Sequence, residues 1–439
     1  MASLLMLLVV AVGAKGDVAS PLEFQFQNTV GWNHLGTSVY AGNNLTVAYN
    51  GSHTHVLDAS TLPKGMEVQD AGYWAWQLVE ITNGGPSARD GHAMASLGDG
   101  RLLMYGGSDN DNNVLNDSWL FEFSLFLDIG IWVGTWTRTK DGPNARRGHA
   151  MSPLENGKAL MYGGRGVNNF LNDASIFQLS SLSFNIDDGA AASPVGTWIP
   201  AKDGPSAREL HAMAPLDDGR VLLFGGWDAT LDGNIFNDCY IFELSSPSLN
   251  IDDIDDGIDD GKNGAGTWTR ATKGPSARRS HAMASLGDGT VLMYGGWDGK
   301  TLLADAWEFE LGTWTKKKPL GKSAREDQIM TSLGNGKVLM YGGWDGFTKK
   351  NDAWIFDRAA VQGSYSPWTR TNDGPSIRRS FALATLDNGR VMVFGGITFG
   401  WFGNVDLNDA WLFELSPFSN IEDGNNGAVG TVRFGLRFC

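Results

Sequence analysis

The sequence has almost no cysteine: Cys239 and Cys439 are the only two in 439 residues. That excludes a disulfide scaffold and any Cys-rich zinc module. Basic charge is also scarce, with 34 Lys and Arg against 49 Asp and Glu and a formal net charge of -15. A nucleic-acid binder would need a basic face, so we expect no nucleic-acid partner. After the first dozen residues no apolar run approaches the roughly 18 residues of a membrane span. Charged residues are 19% of the chain and apolar residues 42%, the balance of a globular protein and not of a disordered one. Catalytic signatures are missing too. There is no Gly-x-Ser-x-Gly elbow, no phosphate loop, and no His-x-x-x-His or Glu-x-x-His ligand pair.

What the chain has in abundance is glycine, 58 residues or about 13% against a norm of about 7%, together with 17 tryptophans. Many tight turns and many large packed anchors read as all-β structure with frequent reversals. The opening run MASLLMLLVVAV leads into Val12-Gly13-Ala14, small residues at the positions a signal peptidase reads, although it carries no initial Lys or Arg. We expect residues 1–14 to be a cleaved secretory signal, with a cytoplasmic protein as the alternative. Export fits the acceptor sequons at Asn44 and Asn50, where we expect glycan; Asn116 opens a strand-like segment and should be less used.

One unit recurs six times. It opens with a turn such as Gly85-Pro86-Ser87-Ala88-Arg89 and runs into His92-Ala93-Met94-Ala95. After Gly98-Asp99-Gly100 comes an apolar run ending in a glycine pair, Leu102-Leu103-Met104-Tyr105-Gly106-Gly107. A variable loop leads to Asn116-Asp117-Ser118-Trp119, and Gly134-Thr135-Trp136 closes the unit. The second glycines of the pairs are Gly107, Gly164, Gly226, Gly296, Gly343 and Gly396; the closing tryptophans are Trp136, Trp198, Trp268, Trp314 and Trp368. Each unit therefore holds four short strands bounded by turn residues. A lone sheet of this kind cannot bury both faces, whereas radial stacking about an axis does so for every copy.

With Gly-Gly followed by Asn-Asp-x-Trp and Pro-x-x-Arg ahead of the first strand, the unit resembles the kelch repeat, over residues 85 to 415. The spacing of roughly 50 to 60 residues suits that family's propeller blades. The resemblance implies an all-β kelch-type β-propeller with helix close to absent. Local departures are Ser175 and Tyr240 in place of Trp, and Gln328 and Phe381 in place of His. We count seven four-stranded blades: a degenerate first blade in residues 25–84, then six kelch repeats in 85–436. The degenerate blade would use Gly36 to Tyr40, Leu45 to Tyr49, Thr54 to Leu57 and Trp74 to Leu78, and Gly430 to Phe434 would supply the last blade's fourth strand. The alternative is six blades, with N-terminal strands completing the last sheet.

Six arginines precede the innermost strands: Arg89, Arg146, Arg208, Arg278, Arg325 and Arg378. In some kelch proteins arginines at this position grip the carboxylates of acidic peptides. A residue repeated in every blade is more often fold chemistry, and the bland reading is a salt bridge to the Asp of Asn-Asp-x-Trp. The next position varies: Asp90, Arg147, Glu209, Arg279, Glu326, Arg379. A site should lie where repeats differ, so Arg147, Arg279 and Arg379 are candidate ligand contacts. After three glycine pairs come Trp227-Asp228, Trp297-Asp298 and Trp344-Asp345, each an apolar plate beside a hydroxyl acceptor, and Trp297, Asp298, Trp344 and Asp345 join the arginines as candidate contacts.

His92, His149, His211 and His281 stand on separate blades, where a metal bond of roughly 2 Å is out of reach, so packed strand histidines are expected and no metal site. The acidic loops around 185–189, 250–260 and 420–424 fail the EF-hand spacing and read as solvated. Copper radical oxidases of the kelch fold need a Cys joined to a Tyr, and the iron-binding plant specifier proteins need a Glu-x-x-x-Asp-x-x-x-His run; neither pattern is met. We therefore expect no catalytic residues and no cofactor. The expected role is non-catalytic binding of an anionic protein or glycan ligand, the alternative being a carbohydrate-active enzyme that uses the same face.

Overall fold

The computed structural model describes residues 74–126, 131–180, 196–228, 233–244, 264–318, 323–362, 366–386, 389–400 and 403–415, together with strands at 25–28, 31–34, 40–41, 44–49 and 53–58. The expected signal segment, Asn50, the three acidic loops, Gly430 to Phe434 and Cys439 lie outside the described residues. The chain divides into two compact units. One comprises residues 1–73, 125–131 and 415–439, and the other residues 74–124 and 132–414. The first contributes a hairpin, Gln25–Asn28 with Gly31–His34, and an antiparallel sheet of Tyr40–Ala41, Asn44–Tyr49 and His53–Asp58.

The second unit is a six-bladed propeller. Its innermost strands are Ala93–Gly98, Ala150–Pro153, Ala212–Pro215, Ala282–Gly287, Ile329–Gly334 and Ala382–Thr385, each packed against the next and the last against the first. Blades one to five follow the order read from the repeat, in antiparallel register (Met104 opposite Trp119 in blade one, Met293 opposite Trp307 in blade four). The glycine pair ends each second strand for a steric reason. A Cβ on Gly106 would come within 2.6 Å of the Arg146 carbonyl in the next blade. On Gly107, at φ +99°, it would meet the Asp90 carbonyl at 2.7 Å. Side chains are excluded there by space and, since Gly106 also has a positive φ of +66°, by backbone conformation at both positions.

The expected count of seven is corrected to the alternative of six. Trp74–Leu78, assigned in advance to a degenerate blade, is the outer strand of blade six, in the place foreseen for residues 430–434. The chain then continues to Glu80–Ile81, which pairs in parallel with the outer strand of blade one, Ile131–Arg138. One short segment thus spans the seam between the last blade and the first. The reason is visible in the packing. Each closing Trp lies between a Phe of its own third strand and an aromatic of the preceding blade: Trp198 is 5.3 Å from Phe177 and 4.9 Å from Tyr105, ring centre to ring centre. Trp76 fills the same slot in blade six, 4.7 Å from Phe413 and 4.8 Å from Tyr341. It is the sixth closing tryptophan, and it arrives from the N-terminal side.

Candidate functional site

The six repeated arginines are fold elements. Arg278 is fully buried and forks onto Asp305 (Nη1 to Oδ1 2.7 Å, Nη2 to Oδ2 2.9 Å), while Nη1 also donates to the Gly295 carbonyl at 3.0 Å. The same fork joins Arg89 to Asp117, Arg146 to Asp173, Arg208 to Asp238, Arg325 to Asp352 and Arg378 to Asp409. Each pair ties the turn before the first strand to the start of the third. In four blades the indole two residues after the aspartate donates to it, as Trp307 does to Asp305 at 2.6 Å. Burial alone would push Asp305 up; the hydrogen bonds and charge of Arg278 outweigh it and hold the carboxyl below its ordinary range. These guanidiniums have no freedom to meet a ligand.

The histidines also prove to be packing elements. Each lies edge-on to the aromatic that ends the preceding blade's second strand: His92 to Phe394, His149 to Tyr105, His211 to Tyr162, His281 to Phe224. The backbone carbonyl of that aromatic acts on each imidazole, short of full hydrogen-bond geometry. The two departures each keep half of this contact. Gln328 Nε2 donates to the Tyr294 carbonyl at 2.8 Å, and the Phe381 ring packs 5.0 Å from Tyr341. Burial, followed by the charge of the adjacent fold arginine, lowers all four histidines, His92 and His211 to about 3.

These shifts make the fold acid-sensitive with a defined sign. Below about pH 6.5 the unfolded chain protonates its histidines while the folded chain holds them neutral, so stability falls as pH drops from about 6.5 toward 3, by up to about 1.4 kcal/mol per pH unit for each histidine. Asp90, Glu209, Glu326 and Asp406, all raised by burial, bind protons first in the folded state and oppose this in part. His149→Gln, copying Gln328, is expected to remove one proton from the uptake on unfolding near pH 5 with little change at pH 8. Urea denaturation across that range reads it; an unchanged pH slope would contradict the assignment.

Above the histidines the channel mouth is a ring of left-handed residues: Gly91, Gly148, Leu210, Ser280, Asp327 and Ser380. Amides of this ring donate from blade to blade, Gly148 to Gly91, Leu210 to Gly148, Ser280 to Leu210, Asp327 to Ser280 and Gly91 to Ser380, at 2.8 to 3.0 Å. That chain of bonds fixes the residue just before each member. Those residues are Asp90, Arg147, Glu209, Arg279, Glu326 and Arg379, a circle of strictly alternating charge in which each acid feels the arginines on both sides. The backbone of each pairs with the residue after its blade's glycine pair: Ser108, Arg165, Trp227, Trp297, Trp344 and Ile397.

The structure therefore brings most of the expected contacts together. Arg279 is held between two indoles, its guanidinium carbon 5.1 Å from Trp227 and 4.7 Å from Trp297. Arg379 lies 5.9 Å from the Trp344 ring and 3.7 Å from Asp327. The Nε atoms of Arg279 and Arg379 are buried without a hydrogen-bond partner. Arg147 is half-buried, in backbone pairing with Arg165. Asp298 and Asp345 behave differently. Asp298 accepts the amides of Lys300 and Thr301, and Asp345 those of Phe347 and Thr348 as well as the Lys350 ammonium. Both carboxylates organise their own loops.

Sequence reasoning marked Trp227 as a Trp-Asp loop residue without joining it to Arg279, and it missed Lys349, Phe399 and the hairpin Ile397–Gly400 with Gly403–Asp406. Cys239 is a buried strand residue whose thiol is pushed up to about 12 by burial. Among the described residues no group of three or more His, Cys, Asp or Glu is placed to hold a metal ion, and no helix is long and apolar enough to cross a membrane.

Comparison with known proteins agrees with this architecture. The chain matches the KLHDC2/KLHL20/DRC7 Kelch-repeats domain over residues 37–248 and 265–419. It is similar to an F-box/kelch-repeat protein of Arabidopsis thaliana, 29% identical over 180 residues, which covers 39% of this chain and 34% of that protein. Adagio-like protein 1 of Oryza sativa subsp. japonica is 22% identical over 224 residues, covering 51% of this chain and 30% of that protein. The match spans about a third of the length of these relatives. The solved structure of YjhT superposes with a TM-score of 0.53 at 13% identity, over 75% of this chain and 95% of that one, a likeness of fold.

Proposed function

The chain belongs to the kelch-repeat family, and from that premise we propose that its propeller is a non-catalytic docking module whose variable face takes an acidic segment of a partner protein. Kelch propellers in general bind proteins. The observation that carries the finer reading is the clamp at Arg279: a guanidinium held in place by Trp227 and Trp297 with its Nε unpartnered, while Arg379, two places further round the circle, also has an unpartnered Nε. A cation fixed in advance and still holding unused donors binds a carboxylate at low entropic cost. The interleaved Glu209 and Glu326 favour a ligand that places single acids between them over a uniform polyanion. With Asp298 and Asp345 engaged in their own loops, the hydroxyl acceptors expected for a sugar site are not free, which is why a peptide is preferred to a glycan.

The test is a peptide and glycan array probed at two salt concentrations, followed by titration of the best acidic peptide. Arg279→Ala is expected to weaken that peptide by about tenfold or more, the effect of a hot-spot arginine, while leaving the melting temperature nearly unchanged. Affinity should also fall with salt. Sulfated glycans bound in preference to peptides, or turnover of a bound sugar, would overturn the reading. Action outside the cell is part of the same proposal, supported by the opening apolar run and the Asn44 and Asn50 sequons. An unprocessed Met1 on the native protein, without sugar, would refute that part.

A further inference from the structure

Among the described residues the buried cations are the six fold arginines, each forked onto an aspartate, and Lys349, which is 4% exposed. Within them no carboxylate oxygen lies inside 4.0 Å of Lys349, and the one charge acting on it is that of Arg379. Its Nζ donates to Asn404 Oδ1 at 2.7 Å and stands 4.0 Å from the centre of the Phe399 ring. An ammonium carries three donors, and a buried charge without a counter-charge is strongly disfavoured.

The placement of Lys349 is specific. Its backbone pairs with that of Trp344, the indole nearest Arg379. The Arg379 backbone pairs in turn with Ile397, the first residue of the hairpin that supplies Phe399 and Asn404. Lys349 and Arg379 therefore stand on linked backbone pairs of blades five and six, Arg379 against the Trp344 indole and Lys349 against Phe399 and Asn404 of the hairpin. The acids around them, Asp90, Glu326 and Asp327, act on Arg379. Burial and then Arg379 pull Lys349 down to about 8.

The geometry points to a subsite for a single oxyanion group, a carboxylate, phosphate or sulfate, between Lys349 and Arg379 at the seam of blades five and six. It rests on the reading of this face as an acceptor of acidic ligands, and gives that ligand a second anchor apart from the Arg279 clamp. A bound anion supplies the counter-charge the fold withholds, and the burial of Lys349 itself strengthens the contact.

The test follows the Cε resonance of Lys349 by NMR in the whole protein, titrating sodium sulfate, phosphate and acetate separately against chloride at constant ionic strength. A saturable shift is expected, with the Lys349 pKa rising by about one unit or more, as for a group gaining an opposite charge. The anion-dependent rise in melting temperature should vanish in Lys349→Met, which keeps the apolar stem, weaken in Arg379→Gln, and persist in Arg279→Gln. Sulfate or phosphate binding ahead of acetate assigns an ester oxyanion, and acetate binding assigns a carboxylate. No saturable response to any of the three would overturn the subsite. If Lys349→Met fails to fold, the NMR titration and Arg379→Gln decide. Acidic peptides that bind Lys349→Met as tightly as the parent would refute the subsite and leave the docking reading intact. Saturable sulfate binding with a blank peptide array would do the reverse.

Discussion

Asp305→Ala is expected to cost about 3–5 kcal/mol of folding stability, because it leaves the Arg278 guanidinium buried opposite no charge. Arg278 is fully buried, and its forked contact to Asp305 is its one ionic outlet. Removing both partners differs from removing one. Arg278→Met with Asp305→Leu should recover much of the loss, since an apolar pair of similar volume has no charge to desolvate. Recovery should be incomplete, because the Gly295 carbonyl and the Ser276 hydroxyl also lose the guanidinium donors. Urea denaturation of the three proteins measures this. A loss below about 1 kcal/mol in Asp305→Ala would mean the pair behaves as a surface salt bridge. The adjacent Arg279→Ala is expected to be nearly silent in the same assay, so two neighbouring arginines separate into one for folding and one for binding.

Trp76→Ala is expected to loosen the closure of the ring. Truncating a packed Trp costs about 3–5 kcal/mol, and half-burial places this one near the lower bound. The indole loses Phe413 in its own blade and Tyr341 in blade five, both within 4.8 Å by ring centres. Trp74 stacks flat on Phe413 as well, at 4.9 Å, so the loss propagates along the strand. Because the segment also reaches Glu80–Ile81 on blade one, the damage should be concentrated at the seam. Hydrogen exchange should accelerate first in Trp74–Leu78 and Ala410–Leu415, with blades two to four nearly unchanged. Uniform acceleration through all blades, or none, would contradict closure by this strand.

The closure shows why part of the fold was hidden in the sequence. Strand identity is local: alternation, a glycine pair and a turn suffice to mark it, and six copies in register made the propeller legible. Which sheet a terminal strand joins is not local. Trp74 to Leu78 and Gly430 to Phe434 both read as outer strands, and only the slot between Phe413 and Tyr341 decides that Trp76 fills it. The candidate site was legible for the same reason in reverse. Arg147, Arg279 and Arg379 stood out because they break a pattern that Arg146, Arg278 and Arg378 keep. Lys349 was illegible, since a Lys in Thr348-Lys349-Lys350-Asn351 looks solvated until the hairpin bearing Phe399 covers it. Asp298 and Asp345 looked like ligand acceptors because an Asx turn and a binding carboxylate have the same sequence signature.

The central claim is that function resides on the face where the repeats differ, and the indole N–H resonances of uniformly 15N-labelled protein test it directly. On titration with the tightest acidic peptide from the array, the indoles of Trp227, Trp297 and Trp344 should shift together and saturate at one affinity. Those of Trp76, Trp136, Trp198, Trp268, Trp314 and Trp368, held between the blades, should stay in place. Shifts confined to the interblade tryptophans, or binding that leaves all three face indoles unmoved, would contradict the account.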